Sequence, residues 1–373
     1  MDFRISKRYF FNALSIVGRA ASANSPLPAL SGIKIDVLAD HILLTASDTL
    51  VSIQKTLKPN ENDFVLEINE SGSIVLEAKY IIEIVRKIDS DEIHIEVIDG
   101  TLTKISGYNA EFNINGQKSI DFPLIDFNKP ANQFKLAASQ LLKIINQTSF
   151  AASDKETRPV LTGVNFKKES GKLECVATDS YRLAKKVVDL REGDNFNITI
   201  PIKTLSEISK SIEKEADILV CISEKKIQFW VDNVVIQSRL IDGQYPETSR
   251  LIPQIFEHTL IVDSRDLLNA IDRASFIKSE GISIIKLSAS DSEIMISSRS
   301  QEVGYSKEKI IPIEYSGRPF EISFSGKYVF DAIRALSGAI VKIEFSGDMK
   351  PFVLRTNEDD SILQLVLPVR TYN

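Results

Sequence analysis

Residues suited to acid–base, nucleophilic or metal chemistry are sparse in this chain of 373 residues, which has three histidines and two cysteines. His41, His94 and His258 form no HExxH arrangement, and Cys175 and Cys221 lack the close spacing of a metal-binding pair. His94 alternates with Ile93 and Ile95, which reads as a solvent-facing strand position, and His258 reads as structural. Both cysteines read as small buried hydrophobes. Asp48, Asp179 and Asp291 each follow a strand pattern. Their recurrence points to turns held by local backbone hydrogen bonds rather than to catalysis. Ser325-Gly326-Lys327 lacks the remainder of a GxxxxGK[ST] loop, so no nucleotide site is expected. The expectation is a non-catalytic protein with no metal and no cofactor.

What does recur is a cation. Lys79, Lys203 and Lys327 stand 124 residues apart, and each opens a helical pattern. Helices are predicted over 7–21, 77–88, 139–149, 202–215, 263–278 and 326–336. Their basic residues include Lys7, Arg8, Arg19, Lys79, Arg86, Lys143, Lys203, Lys210, Arg265, Lys327 and Arg334. The six segments sum to about +6, whereas the whole chain carries -6, so the remainder is strongly acidic. Lysine is a common surface helix former, but equivalent placement in three segments argues for one shared positive face. Such a face attracts phosphates without reading bases.

The elements that must position these cations come as three copies of one unit. Phe3-Arg4-Ile5-Ser6 and Phe134-Lys135-Leu136-Ala137 each precede a helical stretch. Leu30 and Leu161, Gly32 and Gly163, and Asp48 and Asp179 all lie 131 positions apart. A third copy begins at Thr259-Leu260-Ile261-Val262. Ser6 is a candidate N-cap for the first helix, and Asp263 or Ser264 for the fifth. Two helices and about eight short strands per unit imply an α+β fold with helices against antiparallel sheets. The domains are expected at 1–128, 129–255 and 256–373, joined by short junctions containing Pro130 and following Pro253.

Composition narrows the class further. With 43% hydrophobic and 26% charged residues, disorder and disulfide scaffolds are excluded. No apolar stretch reaches the roughly 18 residues of a membrane span, and Met1-Asp2-Phe3-Arg4-Ile5-Ser6 lacks a secretory signal. The expected location is the cytoplasm.

Several segments carry a family resemblance. They are Thr157-Arg158-Pro159-Val160-Leu161-Thr162-Gly163-Val164, Ala177-Thr178-Asp179-Ser180-Tyr181-Arg182-Leu183-Ala184, Asp242-Gly243-Gln244-Tyr245-Pro246 and Leu367-Pro368-Val369-Arg370. Together with the triple repeat, they make the chain similar over its whole length to the bacterial beta sliding clamps. These are the processivity subunits of DNA polymerase III. The resemblance implies a head-to-tail homodimer closing into a six-domain ring, with twelve helices around the hole. Helices about 10 Å apart on such a circle leave a hole roughly 28 Å wide, enough for duplex DNA and water. The basic residues named above would face that hole and contact double-stranded DNA independently of sequence.

The resemblance also implies a pocket for short linear peptides. They would come from the polymerase alpha subunit, the clamp-loader complex, repair polymerases and mismatch-repair proteins. Its walls would be Leu161, Thr178, Ser180, Tyr181, Arg182, Leu183, Pro246, Arg250, Leu251, Ile282, Phe352, Leu365, Leu367, Pro368 and Val369, some of which are equally readable as core. Arg182 and Arg250 would cover apolar area with their stems and hold a peptide carbonyl or carboxylate. Tyr181 stands where relatives often have histidine, and Thr371-Tyr372-Asn373 would partly screen the pocket. The dimer interface would use Ile114 against Phe276 and Ile277, both of the latter exposed in a single copy. Lys104 is expected to face Glu302 or Glu308 across it. The competing class is a scaffold that binds peptides but not DNA, and charge reversal on the helices separates the two.

Overall fold

The computed structural model describes residues 1–59, 64–278, 281–290 and 293–370. Among these residues are six α-helices: α1 (Lys7–Val17), α2 (Ala78–Lys87), α3 (Ala138–Thr148), α4 (Ile202–Ser211), α5 (Ser264–Ala274) and α6 (Gly326–Leu336). Each helix forms because apolar residues recur at three- and four-residue intervals. In α1 these are Phe10, Leu14 and Val17, and in α5 Leu267, Ala270, Ile271 and Ala274, all buried. The predicted spans run past the observed ends, because residues 18–20 tighten into a 3₁₀ turn and α4 stops at Ser211.

Asp263 caps α5 as expected, its carboxylate accepting from the amides of Arg265 (2.8 Å) and Asp266 (3.2 Å). Ser6 precedes α1 but does not cap it. Its hydroxyl instead accepts from the Val65 amide at 2.9 Å, which ties the strand Asp2–Ser6 to its neighbour.

The strands are antiparallel throughout the four sheets, and the chain falls into two compact units. The first comprises 1–139 and 206–240. It holds a five-stranded sheet in the order Leu66–Glu70, Asp2–Ser6, Glu92–Asp99, Leu102–Gly107, Ala110–Asn115. Its nine-stranded sheet joins two successive repeats where Val51–Leu57 pairs with Val234–Arg239. The second unit comprises 140–205 and 241–373. Its nine-stranded sheet joins repeats where Arg182–Asp189 pairs with Ile362–Val366. Its four-stranded sheet runs Gly304–Ile310, Ile294–Ser300, Ile284–Ala289, Phe320–Ser325. Three sequence repeats thus give two compact units, because sheets continue across repeat boundaries and the middle repeat contributes to both.

Gly32 and Gly163 recur for a steric reason. A Cβ on Gly32 would lie 2.9 Å from the Leu76 carbonyl oxygen, and one on Gly163 2.5 Å from that of Ile200. The junctions are bonded down rather than free. In the first unit Lys226 donates to the Asp126 carbonyl and carboxylate, and Gln228 to the Asn128 carbonyl. In the second, Ser346 donates to the Ile255 carbonyl and the Glu257 amide to that of Phe345.

Candidate functional site

The six helices carry twelve basic side chains against five acidic ones. Lys79, Lys203 and Lys327 are each the second residue of their helix, α2, α4 and α6, and all three are exposed. Arg8, Lys143, Arg265 and Arg334 are exposed as well. Several cations are already engaged. Lys7 is half-buried and donates to the Ile88 carbonyl at the end of α2. Arg86 makes two bonds to Glu83, at 3.0 and 2.7 Å. Lys210 lies 3.2 Å and Arg19 4.0 Å from Glu207. Lys7, Arg8 and Arg86 line a cavity of about 270 Å³ together with Phe11, Ser90 and Asp91. The excess of positive charge is greatest on α1 and α2 and vanishes on α5, where Asp266 and Asp272 balance Arg265 and Arg273. Exposed cations spread over several helices supply diffuse attraction to an anionic polymer rather than a rigid reader of one group.

A second candidate surface lies where strand Arg182–Asp189 meets Ile362–Val366. A small apolar core of Leu161, Val176, Leu183, Tyr245, Val353, Leu363 and Leu365 sits beneath it, flanked by half-buried Leu367. The floor is therefore buried, Thr178 included. Of the other expected wall residues, Ser180, Tyr181, Pro246, Arg250, Leu251 and Ile282 are exposed, and Pro368 and Val369 are half-exposed. Tyr245, Val353 and Leu363 were not singled out from sequence, although Tyr245 sits inside the Gly243-Gln244-Tyr245-Pro246 segment. Its hydroxyl accepts from the Thr178 amide at 3.0 Å, and burial pushes its pKa well up.

Two expected wall residues are corrected. Phe352 is fully buried and packs with Phe324 and Phe345 in the core of the third repeat, not in the small apolar core beneath this surface. Arg182 is only 8% exposed and its guanidinium is already engaged by two carboxylates. Its guanidinium bonds Asp179 at 3.0 Å and Asp331 of α6 at 2.8 Å, over the rings of Tyr328 and Phe150. Asp331 lies in another repeat, and nothing local in the sequence signals this pairing.

The turn at the rim has a twin. Asp179 accepts from the amides of Tyr181 and Arg182, and Asp48 accepts from those of Leu50 and Val51. The residues after them, Ser180 and Thr49, have φ of 77° and 79°. The expected turn role thus holds for both aspartates; Asp291 lies outside the described residues, as do Thr371, Tyr372 and Asn373. The Leu367 amide donates to the Tyr181 carbonyl at 2.9 Å, fastening the following segment to this turn.

Of the expected interface residues, Phe276 is 81% exposed and Ile114 half-buried on the edge strand Ala110–Asn115. Ile277 is a correction. It is only 8% exposed, because the turn after α5 directs it inward, with its carbonyl accepting from Ser298. Lys104 already pairs with Glu111 at 3.1 Å, and Glu308 with Arg273, whose guanidinium holds the Glu308 carboxyl below its usual range. Sequence reading missed Tyr108, Phe112, Val303 and Tyr305, which are exposed on or beside the edge strands Ala110–Asn115 and Gly304–Ile310. Their neighbours offer no repeat to reveal them.

Among the described residues no three His, Cys, Asp or Glu side chains gather as a metal site, and no helix is long and apolar enough to cross a membrane. His94 bonds Asp2 at 2.7 Å, His258 stacks on Phe320, and both cysteines are free and buried.

Three sequence-family profiles match in order: the N-terminal domain of the DNA polymerase III beta subunit over residues 1–126, its central domain over 135–247 and its C-terminal domain over 249–370. The chain is 41% identical over 378 residues to the beta sliding clamp of Bacillus subtilis and 39% over 376 residues to that of Staphylococcus epidermidis, in both cases across all of each chain. The crystal structure of the DNA polymerase sliding clamp from Bacillus subtilis superposes with a TM-score of 0.96 at 40% identity, covering the whole of both chains.

Proposed function

The chain belongs to the DNA polymerase III beta subunit family, the sliding clamps, and from that premise we propose that two copies join head to tail into a closed ring around duplex DNA. As a sliding clamp it is a processivity subunit and not a catalyst. The domain limits 1–128, 129–255 and 256–373 would give the ring six domains. The observation that carries this reading is the exposed lysine at the second position of α2, α4 and α6. Repetition of one cation at one helical position is what a lumen with rotational symmetry requires. Each contact is weak, and retention comes from topology, because a closed ring cannot leave a circle of DNA. A polymerase bound to that ring gains effective concentration at the primer end.

Partner peptides from the polymerase alpha subunit, the clamp loader and repair proteins would lie over the floor formed by Leu161, Leu183 and Leu365. Tyr181, Pro246, Arg250, Leu251 and Leu367 would form the rim. Phe276, Ile114 and the two exposed edge strands would close the ring, and the site of work would be the nucleoid.

The test is retention on nicked circular DNA after loading. The protein is expected to stay on the circle and to be lost once the circle is linearised. Replacing Arg8, Lys79, Lys203 and Lys327 with Glu should weaken loading and retention and flatten the salt dependence by about one unit of slope per lost phosphate contact. Equal retention on circles and linear DNA would remove the topological link. Unchanged retention of the charge-reversed protein would take these helices out of the lumen.

A further inference from the structure

An alternating chain of charges runs from a lysine of the proposed DNA face to the rim of the proposed peptide site. Lys327, 71% exposed on its side chain, bonds Asp331 Oδ2 at 2.9 Å. The same oxygen accepts from Arg182 Nη1 at 2.8 Å. The other edge of that guanidinium, Nε, bonds Asp179 Oδ2 at 3.0 Å. Asp179 Oδ1 in turn accepts the amides of Tyr181 and Arg182 and so shapes the rim turn. That turn holds Ser180 at φ 77°, a conformation that a non-glycine residue keeps only when its surroundings impose it. The Tyr181 carbonyl then anchors Leu367.

Taking the DNA and peptide readings above as its premise, we infer that Asp331 couples the two surfaces. Arg182 acts as a positioning residue of the pocket rim, and Lys327 modulates it. Asp331 Oδ2 divides its charge between two cations. When a DNA phosphate draws Lys327 away, that charge falls wholly on Arg182, whose partners are otherwise sheltered from solvent. The Arg182 bridge tightens, the 178–182 turn is held more firmly, and less ordering remains for an incoming peptide to impose. Linkage makes the effect reciprocal: a bound peptide favours the state in which Lys327 is free for phosphate. Partners are thereby held more tightly by protein on DNA than by protein in solution.

The test is a double-mutant cycle read by fluorescence anisotropy, using a labelled peptide copied from the clamp-binding segment of the polymerase alpha subunit. Lys327→Gln mimics withdrawal of the cation. It should tighten peptide binding about twofold to fivefold, a modest factor because Lys327 is exposed. Asp331→Asn should weaken binding, and in that background Lys327→Gln should have no effect. A merely structural Asp331 lowers affinity equally in both backgrounds and leaves the Lys327 effect in place, which overturns the inference. So does an unchanged affinity in Lys327→Gln alone. Should Asp331→Asn not fold, DNA asks the same question. Loading on a primed circle should tighten the peptide on the wild-type protein but not on Lys327→Gln, and equal tightening on both overturns the coupling. Failure of the pocket reading is separately visible as peptide binding undiminished by the rim variant Leu251→Asp, and it removes the inference as well.

Discussion

Asp48 and Asp179, the carboxylates that a catalytic reading would choose first, each use Oδ1 to accept from two backbone amides of their own turn. Recurrence 131 residues apart made that role legible before the fold was known. Arg182 was not legible in the same way, because the carboxylate that engages it is contributed by α6, far along the chain. Lys186 and Asp359 are a similar long-range pair, 2.6 Å apart, with Lys186 only 6% exposed on its side chain. Burial pushes the Asp359 carboxyl up, but hydrogen bonds from Lys186 and Ser361 outweigh it and leave the pKa below its usual value. A lowered folded-state pKa stabilises the fold above the unfolded value, and that stability is lost as pH falls through the folded one. The difference in melting temperature between wild type and Asp359→Asn should therefore be constant near neutrality and shrink as pH drops below about 4. At pH 7 the variant should lose about 1–3 kcal/mol, less than a fully buried pair would, because Asp359 remains partly exposed. Thermal melts followed by circular dichroism across pH 7 to 2 check both statements, and a gap that widens on acidification contradicts them.

Helix periodicity placed all six helices within a few residues, because amphipathic spacing is a local signal. The sheets were legible only as strands. The pairing of Val51–Leu57 with Val234–Arg239 joins segments far apart in sequence, and no periodicity within either strand specifies its partner. For this reason three repeats were visible and the two compact units were not. Caps show the same divide. Asp263 and Ser6 both precede helices and both have cap-competent side chains, yet only Asp263 serves its own helix, while Ser6 is taken by Val65. Asp263→Ala should cost about 1 kcal/mol locally, speeding hydrogen exchange at the Arg265 and Asp266 amides about fivefold. Ser6→Ala should instead speed exchange at the Val65 amide and leave the first turn of α1 unchanged. Identical behaviour of the two variants at their helix starts would show that position in the sequence, not the recorded bond, decides capping.

At the scale of the assembled molecule, the neighbours Phe276 and Ile277 test whether an interface can be separated from a core. Adjacent apolar residues after a helix look alike in sequence. A turn here sends Phe276 to solvent and Ile277 inward. An exposed phenylalanine of this kind costs the single chain nothing when replaced, whereas a charge in the place of Ile277 is buried without a partner. Phe276→Asp should thus keep the wild-type melting profile while sedimentation velocity reports a one-chain mass at concentrations where wild type sediments as two chains. A buried aromatic anchor at the centre of an interface is worth about 2–4 kcal/mol, and the proposed two-chain ring holds two such interfaces, so the substitution should weaken the dimer by about a thousandfold or more. Ile277→Asp should lower stability by about 3–5 kcal/mol and give aggregated or poorly folded protein rather than a clean monomer. The two phenotypes have to differ in kind: a well-folded monomer from Ile277→Asp would put Ile277 in the interface, and a Phe276→Asp protein that remains a dimer would mean that the surface closing the proposed ring lies away from Phe276. The exposed Tyr108, Phe112 and Tyr305 beside the two edge strands would then be the next residues to substitute.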